Sequence, residues 1–165
     1  MSGNASMIVW ITGLPQSGKS TLASRLADAV EVPRCVLDSD DLRTNLYPKL
    51  GYDEADRDAF YAGLGNLALL LAKQGLLVIV AATASRRAYR DSVRRCADQF
   101  IEVFVDADTE TCRTRDQKGL YDGDKKSLPG LGTTYERPPA AEIVATGGHD
   151  DDALAQILAS VARGV

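Results

Sequence analysis

The chain has 165 residues and three cysteines, is 45% hydrophobic and carries a formal net charge of −4. This length predicts one domain over residues 1–165, and the acidic balance offers no basis for binding nucleic acid or an anionic membrane. The cysteines are too widely spaced for a disulfide or zinc framework, and no apolar run reaches the ~18 residues of a membrane span. A cytoplasmic protein is therefore expected.

An apolar, β-prone segment at residues 7–12 leads directly into a glycine-rich loop, Gly13-Leu14-Pro15-Gln16-Ser17-Gly18-Lys19-Ser20. Such a loop points consecutive backbone N–H groups at a phosphate, and the helix predicted over residues 20–30 adds a partial positive charge. Lys19 would contact the β- and γ-phosphates of ATP, and the Ser20 hydroxyl would ligate Mg²⁺. The expected nucleotide-binding residues are Gly13, Pro15, Gln16, Ser17, Gly18, Lys19, Ser20 and Thr21.

Strand and helix patterns alternate along the rest of the chain. Further strands are predicted at residues 34–37, 76–82, 100–105 and 143–145. Further helices are predicted from near residue 41 and at 53–74, 88–98, 109–115 and 151–163. The continuous apolar run at 76–82 is typical of a parallel strand covered on both faces. This order predicts an α/β fold, a doubly wound parallel sheet of the P-loop NTPase or kinase type, with ligands beyond the strand C-termini.

Two charged segments interrupt this regular pattern. Residues 116–139 are rich in glycine, proline and charge, and a loop of this length predicts a lid over the nucleotide. Five arginines lie within ten residues, at positions 86, 87, 90, 94 and 95. They form either a solvated helix face or, in one or two cases, a site for an anionic substrate.

Carboxylates follow the second predicted strand, in the segment Leu37-Asp38-Ser39-Asp40-Asp41-Leu42-Arg43. Beside a phosphate loop, one carboxylate can serve Mg²⁺ and another can accept the proton of an attacking hydroxyl, and Asp38, Asp40 and Lys19 are the predicted catalytic residues. An acidic helix start explains the same carboxylates equally well. Asp106, which follows the predicted strand at 100–105, is a competing candidate for the functional carboxylate and ranks after Asp38 and Asp40. The N-K-x-D element that recognises guanine and the L-S-G-G-Q element of transporter ATPases are both absent from the sequence. Among nucleotide-binding proteins, this leaves small-molecule kinases.

Several segments resemble adenylylsulfate kinases, in order over residues 7–144. The carboxylate segment resembles the L-D-G-D-x-x-R element of that family, and Tyr135-Glu136-Arg137-Pro138 resembles its Y-E-x-P element. Lys118-Gly119-Leu120-Tyr121, after Arg115-Asp116, is the most specific match. The resemblance implies transfer of phosphate from ATP to the 3′-hydroxyl of adenylylsulfate, and a possible homodimer.

The resemblance also implies roles for single residues. Asp40 corresponds to the carboxylate that orients or deprotonates the 3′-hydroxyl and, with Ser20, is predicted to serve Mg²⁺. Arg115 corresponds to a residue packing on the adenine of ATP. The residues implied to bind the nucleotide acceptor are Arg43, Tyr52, Arg57, Arg87, Lys118 and Leu131.

Departures from the family pattern fall mainly on the acceptor side. The family's E-N-I-R-R is here replaced by residues 59–63, which puts Phe60 and Ala62 where an Asn and an Arg are usual. Leu131 replaces a second aromatic wall, and the lid is about four residues shorter than usual. Two alternatives are therefore retained, a kinase for another nucleotide derivative or small alcohol, and a nucleotide-binding module without catalysis.

Overall fold

A computed structural model describes residues 6–116, 119, 122 and 134–164 of the chain. Its five strands are β1 Met7–Gly13, β2 Arg34–Asp38, β3 Leu77–Ala81, β4 Gln99–Val105 and β5 Ile143–Ala145. The helices are α1 Lys19–Ala29, α2 Ser39–Asn45, α3 Glu54–Ala72, α4 Arg87–Cys96, α5 Thr109–Thr114 and α6 Asp151–Gly164. These elements match the predicted ones within about two residues. None of the described helices is both long and apolar enough to cross a membrane.

The strands form a single sheet in the order β2-β3-β1-β4-β5, and every pairing is parallel. The predicted doubly wound parallel sheet is therefore confirmed. Strand β1 lies at the centre, where Ile8 pairs with Val78 on one side and with Phe100 on the other. Because the strands are parallel, the phosphate loop and the C-terminal ends of β3 and β4 lie at one edge of the sheet. Ligands of such sheets bind at this edge, beyond the strand C-termini.

Two apolar layers cover the sheet, one on each face. Met7, Val9 and Ile11 belong to the layer that includes α1 and α6 residues, whereas Ile8 and Trp10 belong to the layer that includes α3 residues. All seven residues of β1 are buried. Because both faces of the strand are covered, its sequence is continuously apolar and does not alternate.

One member of the arginine cluster, Arg90 on α4, lies neither on a solvated face nor free for an anionic substrate. Arg90 is 1% exposed and its Nε donates to Glu102 Oε1 at 2.6 Å. Its other nitrogens donate to the carbonyls of Ala84 and Glu136. Because Glu102 on β4 is itself buried, it needs a cationic partner at this position. Arg90 thus ties the end of β3 and the segment around Glu136 to the sheet, close to the phosphate loop.

Candidate active site

The phosphate loop turns sharply between the end of β1 and the start of α1. The Ser17 N–H donates to the Leu14 carbonyl at 3.1 Å, and the Lys19 ammonium donates to the same carbonyl at 2.8 Å. Gln16 and Gly18 both adopt positive φ, at 62° and 108°. These left-handed residues direct successive N–H groups inward, and Lys19 is held at the loop with only 9% of its surface exposed. The geometry is that of an anion cradle.

The loop that precedes α6 packs directly against the phosphate loop. A Cβ atom on Gly18 would lie 2.4 Å from the Gly148 nitrogen, and one on Gly148 would lie 2.8 Å from the Gly18 carbonyl oxygen and 2.7 Å from Thr21 Cβ. The Gly148 carbonyl also accepts from Arg25 Nη1 at 3.1 Å. Neither glycine leaves room for a side chain, so these contacts fix the position of the phosphate loop.

Replacing Gly148 with alanine is expected to destabilise the fold by about 2 kcal/mol and to weaken ATP binding, because the added methyl must displace the phosphate loop. Gly147→Ala is the matched control, since a Cβ there meets Arg115 Nη1 at an ordinary 3.5 Å. Thermal unfolding and ATP titration of both variants measure the difference. Equal stability of the two variants would contradict the prediction.

The two predicted catalytic carboxylates occupy different positions. The Ser20 hydroxyl donates to Asp38 Oδ2 at 2.5 Å, and the Asp40 N–H donates to Asp38 Oδ1 at 2.9 Å. Asp38 therefore caps α2, and its other carboxylate oxygen faces the phosphate loop. Asp40 lies exposed in the first turn of α2. The carboxylate that contacts Ser20 is thus Asp38.

Ser20 and Asp38 are suitable ligands for Mg²⁺, which prefers hard oxygen donors. Their side-chain oxygens lie 2.5 Å apart beside the phosphate loop. The described residues contain no group of three or more His, Cys, Asp or Glu side chains able to hold a metal. Mg²⁺ in kinases usually takes one or two protein ligands together with substrate phosphates and water.

Arg43 on α2 and Tyr52 come together on the predicted acceptor side. The Arg43 guanidinium lies 4.4 Å from the Tyr52 ring centroid and 4.1 Å from that of Phe60, and Nη1 donates to the Gly51 carbonyl at 2.8 Å. Tyr52 is 59% exposed, whereas Phe60 is fully buried. The buried Phe60 ring therefore packs against the Arg43 guanidinium. Phe60 would influence acceptor binding indirectly, by positioning Arg43.

The remaining predicted residues are less closely grouped. Arg115 Nη1 donates to the Ser17 carbonyl at 3.5 Å, which places this guanidinium against the phosphate loop. Arg57 is partly buried in α3, and Arg87 begins α4 with its backbone N–H donating to Glu136 Oε2 at 2.6 Å. The predictions for Lys118, Leu131 and most of the lid at 116–139 lie outside the described residues.

Asp106, the second-ranked carboxylate, is engaged elsewhere. It accepts from Arg137 Nη2 at 2.7 Å, at the rim of a cavity beyond the ends of β1 and β4. Tyr135 also lines this cavity, and its hydroxyl hydrogen-bonds Thr12 Oγ1 at 2.9 Å. Burial raises the pKa of Tyr135 to about 12, so its hydroxyl stays protonated at neutral pH.

Sequence reasoning missed one polar group at this edge of the sheet, the hydroxyl of Tyr61. It accepts a hydrogen bond from the Ala84 N–H at 3.0 Å, just beyond the end of β3. Tyr61 lies within the helix predicted over residues 53–74, but helical periodicity gives no information on where the phenol oxygen lies.

Comparisons with known proteins agree with this geometry. A family model described as adenylylsulphate kinase matches residues 5–146. The adenylyl-sulfate kinase of Picosynechococcus sp. is 38% identical over 142 residues, covering 82% of this chain and 80% of the relative. That of Aeromonas salmonicida is 39% identical over 152 residues, covering 87% and 78%.

Solved structures give the same relationship. The Mycobacterium tuberculosis APS kinase CysC in complex with AMPPNP and APS superposes with a TM-score of 0.85 at 32% identity, covering 95% of this chain and 97% of its own. A gluconokinase from Sinorhizobium meliloti, with a TM-score of 0.64 at 20% identity, covers 99% of this chain and 94% of its own and shares the fold alone. The chain therefore belongs to the adenylylsulfate kinase family and is an ATP-dependent kinase.

Proposed function

We propose that this chain transfers the γ-phosphoryl group of ATP to the 3′-hydroxyl of adenylylsulfate, releasing ADP and 3′-phosphoadenylylsulfate. The observation that carries the proposal is that α2 joins both halves of the reaction. Its cap, Asp38, contacts Ser20 of the phosphate loop at 2.5 Å, and its last turn carries Arg43 against Tyr52. The M. tuberculosis relative, solved with AMPPNP and APS, supports an ATP donor and an adenylylsulfate acceptor. No comparison favours another acceptor.

On the donor side, the phosphate loop and Lys19 bind the β- and γ-phosphates and neutralise the charge that develops during transfer. Ser20 and Asp38 would hold Mg²⁺, with Asp40 as the further candidate that the sequence predicts. The bound ion would supply charge neutralisation for the phosphates. Arg115, which lies against Ser17, covers the adenine of ATP.

On the acceptor side, Asp40 orients the attacking 3′-hydroxyl and accepts its proton. Arg43 and Arg57 bind the anionic part of the acceptor, and Tyr52 stacks on its adenine. Arg87, Lys118 and Leu131 complete the predicted acceptor set. Positioning and electrostatics supply most of the catalysis, because phosphoryl transfer requires little covalent chemistry from the protein.

An ADP-release assay with Mg²⁺, ATP and a panel of acceptors tests the proposal. Saturable turnover of adenylylsulfate is expected at micromolar concentrations, with mass-spectrometric detection of the 3′-phosphorylated product. Other nucleotides and small alcohols in the panel are expected to be turned over far more slowly. Preferential turnover of another panel member would contradict the proposed acceptor, and ATP binding without any transfer would contradict catalysis.

We also predict that this chain forms a homodimer and lies in the cytoplasm. A hexameric APS kinase from Thiobacillus denitrificans, with a TM-score of 0.67 at 28% identity, covers 96% of this chain, which spans 29% of that protein. Self-association of this chain is consistent with that relative. Sedimentation velocity over a range of protein concentrations distinguishes a monomer from a dimer or a larger assembly.

A further inference from the structure

Tyr61 on α3 is held in one position by its neighbours. Its ring packs edge-on against Phe60 at 5.2 Å and stacks on Tyr89 at 4.5 Å. Its hydroxyl oxygen accepts from the Ala84 N–H at 3.0 Å, and the residue is only 9% exposed. Contacts with two aromatic rings and at the hydroxyl leave the phenol little rotational freedom, so its oxygen has a fixed place at the end of β3.

The residue that holds the phenol is itself unusual. Ala84 adopts a φ of 43°, a left-handed conformation that is costly for any residue with a Cβ. Both of its backbone polar groups are bound, the N–H by Tyr61 and the carbonyl by Arg90. The turn beyond β3 is therefore fixed at the sheet edge where substrates bind, and such strained residues cluster at ligand sites.

The hydroxyl has a hydrogen to donate as well as an oxygen that accepts. Within residues 6–116, 119, 122 and 134–164, no acceptor receives that hydrogen. A buried donor without an acceptor costs free energy, so a bound group that brings an acceptor oxygen to this position gains a hydrogen bond. Burial raises the pKa of the Tyr61 phenol, while the positive charges of Arg43 and Arg57 act in the opposite direction. The phenol thus remains a donor at neutral pH.

We propose that the Tyr61 hydroxyl donates a hydrogen bond to an anionic oxygen of the acceptor nucleotide and so is a further specificity-determining residue. The inference rests on the proposed function. An anionic oxygen is favoured over a ribose hydroxyl because the positive charges of Arg43 and Arg57 each act on this phenol more strongly than the opposing negative charge of Asp40. Phe60, which packs on both Tyr61 and Arg43, links the phenol to the arginine.

Tyr61→Phe tests this inference, because it removes the hydroxyl and keeps the ring contacts. We expect the KM for adenylylsulfate to rise about ten-fold while the KM for ATP stays within about two-fold, since a hydrogen bond to a charged group is lost only on the acceptor side. Tyr89→Phe is the matched control. It removes the stacked neighbour's hydroxyl, which donates to Asp58 Oδ1 at 2.6 Å, and should leave both KM values unchanged.

A merely structural Tyr61 would give a different pattern. Loss of the Ala84 contact alone would lower the Tm and would affect the KM for ATP and for adenylylsulfate to the same extent. Equal changes in the two KM values of Tyr61→Phe, or an unchanged KM for adenylylsulfate, would overturn the inference. The proposed function would still hold in that case, provided that the wild-type chain turns over adenylylsulfate. Absence of wild-type turnover of adenylylsulfate would overturn both.

A structure of the wild-type chain with ADP and adenylylsulfate tests the inference without any substitution. We expect the Tyr61 oxygen within about 3.2 Å of a phosphate or sulfate oxygen of the acceptor. A phenol hydroxyl that donates to water or to protein in that complex would overturn the inference.

Discussion

Replacing Lys19 with alanine is expected to lower kcat by roughly 1,000-fold. The ammonium lies at the inner side of the phosphate loop, where it donates to the Leu14 carbonyl at 2.8 Å and is 9% exposed. In this sheltered position its charge is little screened, so it stabilises the negative charge on the transferred phosphoryl group more than an exposed lysine could. Single-turnover phosphoryl transfer, measured at saturating ATP and adenylylsulfate, isolates this effect from binding.

Lys73→Ala is the matched control for the loss of a positive charge. Lys73 is exposed at the C-terminus of α3, away from the phosphate loop. Its replacement is expected to leave kcat unchanged, and both variants should unfold at nearly the wild-type temperature. If Lys19→Ala kept kcat within about five-fold of wild type, the loop would not be the site of phosphoryl transfer.

The fold follows from features that a single sequence displays well. Residues 77–81 and 7–13 are apolar without alternation because both faces of each strand are buried, and they pair in parallel at the centre of the sheet. The phosphate loop is also recognisable in advance, since its glycines are needed where backbones approach closely. Gly18 meets Gly148 at a distance that no side chain permits.

The site is harder to predict from sequence where one side chain has two partners. The sequence predicts that Asp38 belongs to the site, but its simultaneous contacts with Ser20 and with the Asp40 N–H depend on how α2 leaves its strand. The sequence leaves Arg90 either on a solvated helix face or at a site for an anionic substrate, whereas the structure buries it against Glu102 of β4. Such pairs join elements distant in sequence, so no local pattern indicates them.

The structure also alters the interpretation of residues 59–63, which depart from the family pattern on the acceptor side. Phe60 suggested a lost acceptor contact, yet it is buried and supports the guanidinium of Arg43 at 4.1 Å. Its neighbour Tyr61 adds a hydroxyl at the end of β3. The substituted segment is therefore compatible with binding an anionic nucleotide.

Replacing Asp40 with asparagine is expected to lower kcat by about 100- to 1,000-fold, because asparagine cannot accept the proton of the attacking hydroxyl. The KM for ATP should change little. Asp38→Asn should act differently, since asparagine still caps α2 but loses the charge that faces Ser20 at 2.5 Å. It is expected to raise the Mg²⁺ concentration that gives half-maximal rate, with a smaller loss of kcat at saturating Mg²⁺.

Asp41→Asn completes the comparison, because Asp41 is exposed in the same first turn of α2 and should tolerate the change. Rates measured across a Mg²⁺ titration separate the two roles. A large kcat loss in Asp38→Asn, with near-normal kcat in Asp40→Asn, would assign the attacking hydroxyl to Asp38. Because Asp38 caps the helix that carries Asp40 and Arg43, the same titration also tests whether metal binding and acceptor positioning are coupled through α2.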